Sequence, residues 1–436
     1  MAMIDLSADA QADYAVPRKT AWGTFALIYL LMLMDYVDRQ IIVSMFPQLK
    51  TEFGLSDTQL GALVSIVALT VGLGAFPVAM LIDRWSRTRA IVVMGSLWSL
   101  ATTACGLAQN YAHMFISRAL IGVGEAGYGP AGGALLSTFF PSRMRAFILG
   151  AFQSAAGIGS IVGIVLGGYI AAHWGWRAAF GVVGVPGLIL ALMFFFVPDY
   201  KTVSLRAEAG AAAKPSWRSV LAAMVGELRG SPTAVLVALG GAMQLAVMAT
   251  MITWLPSYFN RALQMSTERA AATTAVVILA MSVGAAIWGA VIDRLGRKMP
   301  KRKLQGLAVL CVATTATFVF AFGAMPAGEA QIKFIVLGGL LMSATLGTVL
   351  AVAADVIHPS FRATAIAFVT LVGNLGMAGG PFMVGVLSDT YGLQQALTLL
   401  PLSSLGAAAL CVWASRSYDT DARRAAAFRL AQPLPA

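Results

Sequence analysis

Apolar stretches long enough to cross a bilayer recur along the whole chain, separated by short polar turns. A membrane helix needs about 20 mostly apolar residues. Twelve stretches qualify: 20–46, 57–82, 90–109, 112–139, 144–171, 176–197, 233–259, 268–292, 304–324, 332–355, 362–388 and 392–415. None alternates with the period of two expected of a membrane barrel strand, so the pattern predicts an all-α membrane protein. One longer polar stretch, 198–232, with Pro198, Asp199, Lys201, Arg206, Glu208, Lys214, Pro215, Arg218, Glu227 and Arg229, divides the spans six and six. The expected organisation is an N-terminal tail over 1–19, a six-helix bundle over 20–197 and a linker over 198–232. A second six-helix bundle over 233–415 and a tail over 416–436 follow.

Composition narrows the solvent. Of 436 residues, 58% are hydrophobic and 11% are charged, against about 25% charged in soluble domains; mean hydropathy is +0.79. Such a chain cannot cover a water-facing exterior, which excludes a soluble enzyme, a disordered chain and a nucleic-acid module. The net charge of +11 is explained by where the bases lie. With a cytoplasmic N-terminus, 23 Lys and Arg fall on the cytoplasmic side and 5 outside, leaving Arg39 and Arg118 within spans. This asymmetry orients an inner-membrane protein with both termini cytoplasmic. Cys105, Cys311 and Cys411 lie far apart in apolar runs, and His113, His173 and His358 form no cluster, so no disulfide framework or metal site is expected. Met1–Lys19 is polar and the apolar stretch after it is too long for a signal core.

The two halves repeat. Asp83-Arg84-x-x-Arg87 after the second span returns as Asp293-Arg294-x-x-Arg297 after the eighth, 210 residues later. Pro141-Ser142-Arg143 before the fifth span returns as Pro359-Ser360-Phe361-Arg362 before the eleventh, 218 residues later. Parallel six-span halves related by an axis along the membrane normal are a transporter plan.

On these motifs the chain resembles the major facilitator superfamily over nearly its whole length. Gly289-x-x-x-Asp293-Arg294-x-Gly296-Arg297-Lys298 matches the superfamily signature between helices 8 and 9. In the first-half copy, Ala79 and Ser86 replace glycines and Thr88 replaces a base. Arg118-x-x-x-Gly122-x-Gly124-Glu125-Ala126 matches its helix-4 motif. Asp35-Tyr36-Val37-Asp38-Arg39-Gln40 and Gly124-Glu125-Ala126-Gly127 resemble the spinster-like transporters and, slightly less closely, the anion:cation symporters. Spinster-like chains usually carry Asn in place of Asp35. The resemblance implies twelve transmembrane helices in two pseudo-symmetric six-helix halves and transport by alternating access.

Within the spans, charge points to the chemistry. Asp35, Asp38 and Arg39 share one helical face of the first span, and Arg118 and Glu125 lie two turns apart on the fourth. Each costs about 2.5–3.5 kcal/mol at the membrane centre, and a buried ion pair is weak evidence of stability. A carboxyl whose surroundings alternate between wet and dry, or that gains and loses an arginine, changes its proton affinity with conformation. Asp38 and Glu125 are therefore the expected proton carriers, with Asp35 a third titratable group or a partner for Arg39. The resemblance also links the helix-1 Asp and helix-4 Glu to proton coupling. Arg39 and Arg118 are the expected anion clamps, because guanidinium donors match carboxylate or phosphate. Tyr36, Tyr128, Gln153, Gln244, Trp254, Tyr258 and Asn374 are the candidate cavity-lining residues. Glycines four apart in the fourth, fifth and eleventh spans predict close helix approach. In the superfamily that the chain resembles these loops hold the cytoplasmic gate, so Asp83, Arg84, Arg87, Asp293, Arg294 and Arg297 are expected to form one here, which Asp355 joins.

The function that follows is secondary active transport of an organic anion or an amphipathic, lipid-like anion, coupled to protons. The alternative is a proton/drug antiporter of the same fold. The spans hold no nucleophile with an adjacent base, so no enzyme is expected. Nor are a cofactor, a metal or a nucleic-acid partner expected: protons are the coupling ion, membrane lipids surround the chain, and one chain holds a complete pathway as a monomer.

Overall fold

The computed structural model describes residues 14–84, 86–199, 226–358 and 362–430, with the side chains of Asp83 and Arg84 outside that description. The linker 198–232 and the N-terminal tail therefore fall largely outside it, as does the C-terminal tail beyond Leu430. Fifteen helices account for the described membrane segments. In the first half they are α1 (Arg18–Ile41), α2 (Phe46–Phe53), α3 (Asp57–Arg84), α4 (Arg87–Gly106), α5 (Tyr111–Phe139), α6 (Ser142–Trp174) and α7 (Trp176–Met193). In the second they are α8 (Pro232–Ala262), α9 (Thr267–Gly296), α10 (Arg302–Gly323), α11 (Glu329–Met342), α12 (Thr345–Val356), α13 (Arg362–Tyr391), α14 (Leu393–Leu399) and α15 (Ser403–Leu430). A 3-10 turn joins α1 to α2, α11 to α12 make one span, and α14 to α15 make another, giving twelve spans. Ten of these are long and apolar enough to cross a membrane by length and composition alone, among the described residues. The other two are α4, which opens on Arg87 and Arg89, and α5, which carries Arg118 and Glu125.

Helix starts follow local chemistry. Ser56 and Gln59 form a reciprocal capping box at α3, with N–H···O distances of 3.0 and 3.1 Å, satisfying donors that a helix start leaves orphaned. Asn110 caps α5 and Ser86 caps α4, each side chain accepting from one such donor, the His113 and the Arg89 amide. Gly54 closes α2 at φ +62°, a left-handed conformation that only glycine adopts without strain.

Two compact units are present: the described residues of Met1–Ser204 with Thr253–Ile278, and those of Leu205–Ile252 with Leu279–Ala436. Each contains a helix pair held by glycines. In the first, Cβ atoms added to Gly159, Gly163 and Gly167 of α6 would sit 2.6, 2.6 and 2.8 Å from the carbonyl oxygens of Leu33, Val37 and Ile41 of α1. Four-residue spacing on both helices sets one backbone directly on the other. In the second, Gly376 and Gly380 of α13 meet the carbonyl oxygens of Ala242 and Ala246 of α8 in the same manner. The α8 positions follow their α1 counterparts by 209 residues and the α13 positions follow theirs by 217. These offsets lie within one residue of those of the sequence motifs, so the duplication extends to which backbones touch.

Two segments differ from the sequence expectation. The tenth span is not one helix: Ser343 and Ala344 interrupt it, and the Ser343 hydroxyl bonds back to the Leu340 carbonyl at 3.1 Å. Gln244 of α8 donates to the freed Met342 carbonyl at 3.4 Å, so a buried amide supports the break. The residues after 415 are not a separate tail as far as Leu430, because α15 continues through them. Its polar extension is tied down at Asp421, which accepts from the Thr233 amide at 3.0 Å, and at Asp419, paired with Lys301 at 2.8 Å.

Candidate functional site

The first unit holds a buried cluster of five charges on α1 and α5. Arg39 sits between two carboxylates: its Nε donates to Asp35 Oδ1 at 3.2 Å, and an Nη pairs with Glu125 Oε2 at 2.7 Å. The other Asp35 oxygen accepts from the Tyr128 hydroxyl at 2.6 Å, and the Arg39 guanidinium lies over the Tyr36 ring, 5.2 Å from its centroid. One turn further along α1, Asp38 accepts from the Trp98 indole at 3.3 Å. Its carboxylate also lies 3.7 Å from Arg118, whose Nε donates to the Leu63 carbonyl at 3.2 Å.

The helix-4 motif has a physical reading here. Arg118 and Gly122, four apart on α5, face Leu63 and Val67, four apart on α3. Gly124 faces α4, where an added Cβ would lie 2.7 Å from the Trp98 nitrogen and 2.8 Å from the Met94 carbonyl oxygen. The glycines let α3 and α4 close on α5, which delivers the Trp98 indole to Asp38. Gly124→Val forces α4 away and costs about 1–3 kcal/mol through overpacking. The purified protein is expected to unfold several degrees lower; an unchanged melting temperature would show that the α4–α5 contact is not constrained here.

Asp35, Asp38 and Glu125 oppose only Arg39 and Arg118, leaving one surplus negative charge. The Asp38 and Glu125 side chains are fully enclosed, and Asp38 Oδ1 and Glu125 Oε1 make no hydrogen bond among the described residues. Buried polar atoms normally have partners, so these two oxygens are where a proton would complete the network.

The expected binding residues divide by exposure. Arg39 keeps 22% of its side chain open, Tyr36 and Asn374 are half-buried and Gln153 is exposed. Arg118 is sealed, with 1% of its side chain exposed; its Nε donates to the Leu63 carbonyl and its charge is paired with Asp38 at 3.7 Å, so no anion clamp is formed there in this structure. Tyr128 is buried on Asp35. Trp254 is buried elsewhere, edge-on to Phe46 at 5.3 Å, while Gln244 and Tyr258 are also buried.

The expected gate residues divide between the two halves. Asp83 and Arg84 lie outside the described side chains, and Arg87 is nearly buried. Asp293, Arg294 and Arg297 are exposed, and their side chains make no hydrogen bond or ion pair among the described residues. Asp355 does have partners: the Tyr418 hydroxyl at 3.1 Å and Lys303 at 3.8 Å. Lys303 in turn lies over Gly296, where an added Cβ would fall 2.6 Å from the lysine side chain.

Sequence reasoning missed a second charged cluster, at the α2–α3 turn. Asp57, 3% exposed, accepts both arms of the Arg261 guanidinium at 2.7 and 2.9 Å and the Lys50 ammonium at 2.6 Å. A bidentate arginine pair is among the stronger charge-assisted contacts, and Asp57 also faces the positive end of α3. Its signal was present in the chain: Asp57 stands inside a capping box, and Lys50 and Arg261 both fall among the five bases counted on the outer side.

Comparison with known proteins places this geometry in context. A family model described as Major Facilitator Superfamily matches residues 28–332. The chain is 28% identical to an MFS-type efflux pump of Mycolicibacterium smegmatis, over 94% of this chain and 96% of that protein. It is 25% identical to the cis,cis-muconate transport protein of Acinetobacter baylyi, over 84% and 87%. Its fold matches the crystal structure of a bacterial homolog of the human lysosomal transporter spinster, inward-facing and unoccupied, with a TM-score of 0.81. That match covers 93% of this chain and 99% of the other at 20% identity.

Proposed function

The chain belongs to the Major Facilitator Superfamily, and from that premise we propose that this membrane transporter is a proton-coupled carrier of organic anions working by alternating access. One observation carries the reading: Arg39, the intramembrane base with an open face, is gripped by Asp35 and by a fully enclosed Glu125. A proton arriving on Glu125 removes one of the guanidinium's two carboxylate partners. Arg39 then has donors free for an incoming anion, so proton and cargo bind in support of each other. A deprotonated Glu125 reclaims Arg39 and expels the anion. Binding one proton and one monovalent anion leaves the charge of the cluster unchanged, so its burial costs the same in the empty and loaded carrier.

The positive-inside bias supports both termini in the cytoplasm of a plasma-membrane protein, with the Lys50 end outside. The described chain carries the five-charge cluster within one protomer, which supports a monomer as the working unit. In this reading the cargo class includes small organic acids and amphipathic lipid-like anions. Proton-linked drug export is the second reading, favoured by the Mycolicibacterium relative. An open arginine among the buried acids favours anionic cargo over cationic.

Full-length protein in liposomes tests this. With an imposed pH gradient, organic anions are expected to accumulate and ethidium is not. Accumulation of ethidium with no anion uptake would replace this reading by the second.

The Asp57–Arg261 pair supports a further expectation. An outward-open state requires Arg261 to leave Asp57, so Asp57→Asn should favour that state. A cysteine introduced beside Asp57 is expected to react with an impermeant maleimide from outside several-fold faster in the Asn background. Equal rates would mean that the pair does not restrain opening.

A further inference from the structure

We infer that the cargo presents a single anionic group on an otherwise uncharged body, and that dianions of the same shape are rejected. The inference rests on the anion-transport reading above and narrows its substrate class.

Arg39 and Arg118 are the two bases deep inside the spans, every other Lys or Arg lying outside them or within two residues of a span end, and they are not equivalent. Arg118 is spent on Asp38 and the Leu63 carbonyl and has 1% of its side chain exposed. Arg39 retains 22%, and its Nη1 has no hydrogen bond or ion pair among the described residues. A charged group would not be left facing lipid, so that open edge meets water or cargo. One guanidinium edge accommodates one carboxylate, sulfonate or phosphate group in bidentate fashion.

The second half supplies no other cation within the membrane. Residues 236–258, 272–290, 306–324, 334–354, 364–387 and 393–415 contain no Asp, Glu, Lys, Arg or His. What these segments offer a ligand is neutral: hydroxyls, amides and aromatic rings. A second anionic group on the cargo would lie at membrane depth without a positive partner. It would also face a site that, once Glu125 is protonated and the first anionic group is seated on Arg39, again carries one surplus negative charge, contributed by Asp35, Asp38 and that group against Arg39 and Arg118. Both terms oppose it, because a desolvated charge must be paired to be tolerated. The remainder of the cargo meets the Tyr36 ring, over which Arg39 already lies at 5.2 Å, a flat surface suited to an uncharged or unsaturated body.

The test uses full-length protein in lipid nanodiscs at pH 7 and titration calorimetry with matched acids. The probes are gluconate with glucarate, and 3-hydroxybenzoate with 5-hydroxyisophthalate, together with the monomethyl ester of each diacid. The monoacid and the monoester are expected to bind alike, and the diacid at least about tenfold more weakly, one decade being about 1.4 kcal/mol. Asp35→Asn removes the surplus negative charge and should narrow that ratio at least threefold. A diacid that binds as tightly as its own monoester overturns the single-charge inference and leaves anion transport standing. Binding of ethidium with no anion bound would instead remove the transport reading on which the inference rests.

Discussion

Glu125→Gln protein in liposomes is expected to lose pH-driven accumulation altogether while still exchanging labelled for unlabelled anion across the membrane. Glutamine copies the shape of a protonated glutamate and cannot release a proton. In the native protein the Glu125 carboxylate holds Arg39 at 2.7 Å; the amide leaves Arg39 to Asp35 alone. Anion binding therefore persists in the variant and no longer depends on pH. For one proton per anion, a gradient of two pH units supports about a hundredfold accumulation, since each decade is worth about 1.4 kcal/mol. The variant should settle near unity. Accumulation close to the native level would show that the coupling proton is carried elsewhere.

The second large effect concerns stability. Arg118→Leu leaves the fully enclosed Asp38 carboxylate without its cation and the Leu63 carbonyl without its donor. Breaking one partner of a buried pair costs about 3–5 kcal/mol, a large fraction of the net stability of most folds. Adding Asp38→Asn removes the stranded charge while keeping an acceptor for the Trp98 indole, so the double variant should regain most of the loss. Chemical denaturation of the purified protein reads both. Costs that simply add in the double variant would mean that Asp38 and Arg118 act independently.

What could be read from the chain alone follows from how strong each local signal is. The spans were legible because hydrophobic length is a one-dimensional property, and the duplication was legible because its motifs recur at nearly constant spacing. The glycine stripes of α6 and α13 were visible as glycines four apart, but not that each bears on the backbone of the first helix of its half. Asp35, Asp38, Arg39, Arg118 and Glu125 stood out because charge is rare inside spans. Their division of labour did not: Arg118 and Arg39 look alike in sequence, and only the packing of α3 and α4 against α5 seals one and leaves the other open. The Asp57–Arg261 pair escaped notice because loop charges are common and 204 residues separate the partners. The break at Ser343 was hidden by uninterrupted hydropathy, as it depends on Gln244, which lies on another helix.

In this mechanism proton and anion share one buried cluster. Measuring proton uptake by the full-length protein in weakly buffered solution, as anion is added, tests it most directly. Near neutral pH, about one proton is expected to be taken up per anion bound, and none in Glu125→Gln. Anion binding to the native protein with no proton uptake at any pH would contradict the account.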